Sequence, residues 1–203
     1  MELREALSHI AEIRARVAAT ERFRGYRAVP VAISGVFAAL VAILQPRFVP
    51  QPIADLPGYL ALWIATAVLG LAAAGWGIWI RHRNGADRIS RELTLLAVAQ
   101  FAPCLIAGGL VTLVIARHAS EHAAVLPGIW QVLFSLGVFA SCRLLPRALA
   151  LVGIFYLFTG VWNLMLSAGP DVLSPWTMGL PFGVGQIATA AILYWNLERD
   201  RHE

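Results

Sequence analysis

The sequence predicts an all-α fold: a polytopic bundle of six transmembrane helices preceded by an amphipathic cytosolic helix. Three observations predict it. Six apolar stretches of 18 to 24 residues run without Asp, Glu, Lys, Arg or His. About 20 residues at 1.5 Å rise cross the roughly 30 Å hydrocarbon core of a bilayer. Charged residues make up only 14% of the chain, against about 25% in a soluble domain, and mean hydropathy is +0.69. Finally, the arginines between the stretches gather on alternate sides.

The first element is the segment 1–27. Residues 2–24 lack Pro and Gly and carry Leu3, Leu7, Ile10, Ile13 and Val17 at helical spacing. Glu2 and Glu5 open it and Arg14, Arg16, Arg22 and Arg24 close it, the polarity that suits a helix dipole. Three readings are open. The helix lies on the inner leaflet with its arginines on anionic lipid; it forms a short coiled coil through Leu3, Ala6, Ile10, Ile13, Val17 and Thr20; or it docks a cytosolic partner. The acids within it argue against a transit peptide, which is acid-poor.

The membrane domain covers 28–197, with spans at about 28–45, 58–80, 93–116, 125–142, 148–168 and 177–197, and a cytosolic tail at 198–203. All sixteen basic residues are arginine, a bias that fits a GC-rich bacterial genome. Fourteen of them fall in the N-terminal segment, the second and fourth connections and the tail, and two, Arg47 and Arg117, in the other connections. The positive-inside rule then places both termini in the cytosol and the chain in a bacterial inner membrane. The high pI of about 9.7 reflects these membrane-edge arginines and not nucleic-acid binding.

The outer connections are short and rich in proline: Pro46, Pro50, Pro52 and Pro57 in the first, Pro170 and Pro175 in the third. Trp63, Trp130, Trp162, Trp176 and Trp195 stand near span ends and read as interfacial anchors. Pro103 with Gly108 and Gly109 reads as a kink in the third span. Cys104 and Cys142 read as two separate thiols at different depths.

With charge excluded from the spans, neutral amides are the informative residues. Gln100, Gln131, Asn163 and Gln186 must face protein, because an amide in lipid leaves donors and acceptors unpaired. In span five Gly153, Tyr156, Gly160, Asn163 and Ser167 form one small or polar stripe. Span six repeats this with Gly179, Gly183, Gln186 and Ala190, and Gly179-xxx-Gly183 matches a helix-packing pattern. Gln131, Asn163 and Gln186, with Tyr156, are candidate ligand-binding residues of a neutral polar pocket among spans four, five and six. The competing reading makes the amides packing glue.

His118-Ala-Ser-Glu121-His122 has the H-x-x-E-H order of inverted zinc peptidases. On a continuous helix His118 and His122 would share a face, but no third ligand is evident and a plain polar turn is the expectation. No ionisable residue lies within a span, which argues against intramembrane proteolysis, haem ligation and ion-coupled transport. No catalytic residue and no cofactor are expected. The expected partners are the bilayer and a cytosolic protein, a membrane protein or a second copy of the chain.

In outline the chain is similar to the substrate-binding membrane subunits of energy-coupling-factor vitamin transporters. Ala38-xxx-Ala42 has the AxxxA form through which those subunits meet their partner, while the basic N-terminal helix departs from their pattern. The outline is similar also to six-span anti-sigma regulators, which hold a cytosolic factor through an N-terminal segment, although no specific residue carries that likeness. Neither likeness assigns a family. The leading expectation is a non-enzymatic regulatory, scaffolding or assembly protein acting through its N-terminal helix; the alternative is a small-molecule-binding or permease-type subunit.

Fusing alkaline phosphatase after residue 52, 120 or 171 should give active enzyme in a bacterial host. Fusions after residue 86 or 203 should be inactive, and activity at either would invert the topology.

Overall fold

The computed structural model describes residues 28–83, 88–142, 146–169 and 171–198. The segment 1–27, with its candidate contact residues Leu3, Leu7, Ile10, Ile13, Val17, Arg14, Arg16, Arg22 and Arg24, lies outside the described residues. The fold is helical throughout, with no strand among the described residues. Its helices are α1 (Ala28–Phe48), α2 (Leu56–Arg83), α3 (Arg88–His118), α4 (Leu126–Ser141), α5 (Leu149–Met165) and α6 (Pro175–Leu193). A 3-10 turn, Ser120–Val125, leads into α4, and a π-helical turn, Tyr194–Glu198, follows α6.

Five stretches are long and apolar enough to cross a membrane: Ala28–Phe48, Leu56–Gly77, Leu95–His118, Ser120–Ser141 and Pro175–Asn196. The fifth of the six expected spans is the exception. Its helix stops at Met165 after 17 residues, short of the expected end at 168. Beyond Met165 the backbone tightens, with Ser167 N–H donating to Leu164 O and Gly169 N–H to Leu166 O. Pro170 follows, and a residue before proline is disfavoured in helical geometry. α2 and α3 overrun their apolar stretches instead, α2 to Arg83 and α3 from Arg88, because arginine propagates a helix well.

Local chemistry sets the helix starts. Gly58 N–H donates to the Asp55 carboxylate at 3.0 Å, so Asp55 caps α2. Proline occupies the first turn of α4 and α6, where its missing N–H has no partner to lose. Inside the membrane-spanning lengths, α3 runs on through Pro103.

The helices pack in the lateral order α2, α1, α6, α5, α4, α3, and α2 and α3 barely meet. Burial follows this order. In α1 and α6, 39% of the apolar window is buried, against 17% in α2 and 11% in α3, so the last two are peripheral. Exposed apolar residues such as Leu69, Leu71, Ile106 and Leu110 clothe them, as a hydrocarbon surrounding demands. At the arginine-rich end of α2 the Arg83 guanidinium lies 4.8 Å from the Trp79 ring centre, and Trp79 lies 5.0 Å from Trp76.

Two apolar cores hold the bundle. One, at the end bearing the proline-rich connections, joins Tyr59, Trp63, Leu126, Leu173 and Met178. The other, toward the arginine-rich end, joins Val31, Leu149, Val152, Tyr156 and Leu193. Between helices the contact is made by small residues. On the α1–α6 seam, a side chain at Gly179 would run into Ala42, and one at Gly35 would stand 3.0 Å from Gly183 O. On the α4–α5 seam Gly128 and Gly160 cross: a Cβ on the first would come within 2.7 Å of Gly160 O, and on the second within 2.9 Å of Gly128 O. The glycine stripes expected in spans five and six therefore face protein.

Gly160→Ala should destabilise the bundle by about 1–3 kcal/mol through overpacking against backbone. Gly109→Ala, where an added Cβ meets nothing within 4 Å, should be neutral or stabilising by up to about 1 kcal/mol through helix propensity. SDS-induced unfolding of the purified variants measures both.

Candidate functional site

The amides converge on a defect in α6. Pro181 stands inside that helix and has no N–H, so the carbonyl four residues earlier, Thr177 O, has no intrahelical donor. Two side chains replace it. Gln131 Nε2 from α4 donates to Thr177 O at 2.8 Å, and Asn163 Nδ2 from α5 donates to it at 3.1 Å. Asn163 Nδ2 also reaches Gln131 Oε1 at 3.2 Å. Gln131 is fully buried, at 0% exposure. Three helices are thus tied at one carbonyl.

A second amide does the same work between the proline-rich connections. Gln45, 1% exposed, donates from Nε2 to Leu173 O at 3.0 Å. Its Oε1 accepts from Trp63 Nε1 at 2.9 Å. Gln45 stands at the expected end of the first span, where an amide does not stand out in the sequence. The signal available was an uncharged amide followed directly by Pro46 on an apolar helix.

Trp63 corrects a further expectation. It is buried at 3% exposure and hydrogen-bonded, not an interfacial anchor. Trp130 likewise turns inward, donating to Thr112 Oγ1 at 2.8 Å, and Thr112 donates in turn to Gly108 O at 2.7 Å. Trp162, Trp176 and Trp195 are exposed.

The candidate ligand residues divide. Gln131 and Asn163 are brought together and bonded to each other. Gln186 is not with them: it sits on the α6 face that meets α1, where its Cβ lies 2.9 Å from the position of a Cβ built on Gly35. Gln186 makes no hydrogen bond to either amide among the described residues. Tyr156 is fully buried among Phe134, Phe155 and Phe182, with ring centres 4.8, 5.7 and 5.3 Å away. Its hydroxyl packs against Gly185 and has no hydrogen-bond partner. The Tyr59 hydroxyl beside Thr177 and Gln100 Oε1 are also buried without a partner in hydrogen-bonding geometry.

His118 and His122 do not share a helical face. α3 ends at His118, and Ala119 breaks the helix with φ −150° and ψ 43°. His122 Nδ1 instead lies 3.2 Å from Glu121 Oε1, both side chains being about two-thirds exposed at 68% and 69%. Among the described residues no group of three or more His, Cys, Asp or Glu is placed to hold a metal ion. Cys104 and Cys142 are both free.

At the proline-rich end a cavity of about 500 Å³ opens between residues 46–54 and 171–175, with Gln45 and Asp171 among its lining. Comparison with protein-family models, curated proteins and solved structures finds no match to this chain.

Gln131→Leu should cost about 1–2 kcal/mol, since it strips a donor from Thr177 O and an acceptor from Asn163. In a Pro181→Ala background the restored N–H serves Thr177 O, and the same change should cost about half as much. A double-mutant cycle in SDS unfolding measures the coupling; strict additivity would refute the shared carbonyl.

Proposed function

We propose that this chain is a non-enzymatic, six-span protein of a bacterial cytoplasmic membrane, with both termini in the cytosol. Its role is regulatory, scaffolding or assembly, exerted through the segment 2–24 and the arginine clusters on the same side. The observation that carries the reading is the use made of polar groups inside the helices. Gln45, Gln131, Asn163, Trp63 and Trp130 are engaged in bonds that join one helix or connection to another. Such bonds suit packing glue better than a ligand pocket between α4 and α6.

The short α5 serves as the fifth of six spans on this reading. Seventeen residues at 1.5 Å rise reach about 26 Å, at the lower end of what crosses a bilayer. The tight turn that follows it and the neighbouring α4 and α6 support that placement. The arginine distribution of 14 against 2 supports the orientation. What remains for interaction is the amphipathic segment ahead of α1, the one elaborated stretch outside the apolar helices.

Removing residues 2–24 should leave the bundle's detergent-unfolding midpoint unchanged and abolish recovery of a cytosolic partner with the purified protein. Equal partner recovery from the truncated and full chains would overturn the proposal.

A further inference from the structure

The arginine-rich end of α2 carries an exposed ladder of side chains. Trp76, Trp79 and Arg83 stand at i, i+3 and i+7, on one face of the helix. That face points away from α1, which meets α2 through Gly77 on the opposite side, where an added Cβ would lie 3.4 Å from Pro30. Trp76 and Trp79 are exposed, with ring centres 5.0 Å apart. Arg83 is exposed as well, and its guanidinium carbon lies 4.8 Å from the Trp79 ring centre.

No described residue takes up the polar groups of this ladder. The indoles of Trp63 and Trp130 donate to side chains inside the bundle, whereas those of Trp76 and Trp79 have no acceptor among the described residues. Arg83 has no carboxylate partner among them either. An arginine at the end of a span ordinarily extends toward water. Arg83 instead reaches back one turn onto Trp79, toward the hydrocarbon, which holds its charge at headgroup depth. A guanidinium stacked by its face keeps its N–H edge free for a phosphate. The stretch 81–91 adds Arg81, Arg88 and Arg91 against one acid, Asp87. Ala72 and Leu69, one and two turns before Trp76 on the same face, are exposed and apolar.

We propose that this ladder binds one anionic glycerophospholipid: its phosphate meets the Arg83 N–H edge and the indole donors, and an acyl chain runs along Trp76, Ala72 and Leu69. The occupant is a lipid and not a soluble phosphate, because the donors are continuous with the apolar face of a peripheral helix that is only 17% buried. An otherwise uncharged headgroup suits the site, since a choline would bring a cation to the arginines of the stretch 81–91. The inference goes beyond the interaction role, since it involves neither the N-terminal segment nor a protein partner.

The test uses the full chain in dodecyl maltoside micelles, with native mass spectrometry counting bound palmitoyl-oleoyl phosphatidylglycerol, phosphatidylcholine or diacylglycerol. The first phosphatidylglycerol should bind about fivefold more tightly than phosphatidylcholine, the weight of one arginine at an anionic surface, and more tightly still than diacylglycerol. Arg83→Gln should abolish that preference for the first lipid, and Trp79→Leu should weaken it. Arg147→Gln removes another exposed arginine from an arginine-rich connection and should leave the first binding unchanged. Because all three replaced side chains are exposed, the variants should keep the wild-type unfolding midpoint. Equal affinity for phosphatidylglycerol and phosphatidylcholine, an undiminished preference in Arg83→Gln, or an equal loss in Arg147→Gln would each overturn the proposal. So would displacement of the lipid by water-soluble glycerol phosphate, which would make the ligand a free phosphate.

Discussion

Hydrocarbon offers a polar group no water to fall back on, so a donor or acceptor left unpaired inside it is costly and a partner within the protein is strongly favoured. The loss of one N–H at Pro181 shows how far that constraint reaches. Thr177 O is left without its helical donor, and side chains from two other helices close the gap at 2.8 and 3.1 Å. A proline that would merely bend an isolated helix here becomes the point at which α4, α5 and α6 are registered against one another. Gln45 obeys the same rule one layer nearer the proline-rich connections, where Leu173 O precedes α6 and lies outside any helix.

Dispersion supplies what hydrogen bonds do not. Lipid tails are as apolar as leucine, so helices gain nothing by hiding leucine from lipid and associate where their backbones approach closely. The pairings Gly179 with Ala42 and Gly128 with Gly160 follow that logic, and the large aliphatic side chains are left on the outside. Aromatic rings fill the wider spaces between helices. Phe101, Phe134, Tyr156 and Phe182 form a connected cluster in which Tyr156 contributes area, and its hydroxyl finds no partner.

Much of this was legible in the residue order. Helix positions follow from charge exclusion, and the inward faces of α5 and α6 follow from the spacing of glycines and amides. Periodicity names a face, however, not the helix it meets. Gln186 shares a stripe with Gly179 and Gly183, and that stripe meets α1 instead of the amides of α4 and α5. The bond of Gln131 and Asn163 to Thr177 O was hidden for a related reason: its acceptor is a backbone atom exposed by a proline four residues away. Tryptophan misled in one respect, because Trp63 near a span end resembles an anchor until the buried amide opposite its N–H is seen. The break at Ala119 depends on backbone angles that His118-Ala-Ser-Glu-His122 does not announce.

The seam between α1 and α6 joins the two helices furthest apart in the chain, Gly35 lying against Gly183. A ribosome adding about 5–20 residues per second makes the second of these on the order of ten seconds after the first. Throughout that interval the glycine and alanine face of α1 has only lipid or a passing neighbour beside it. The bundle is therefore sealed late in its biogenesis, by a long-range closure that earlier spans cannot anticipate.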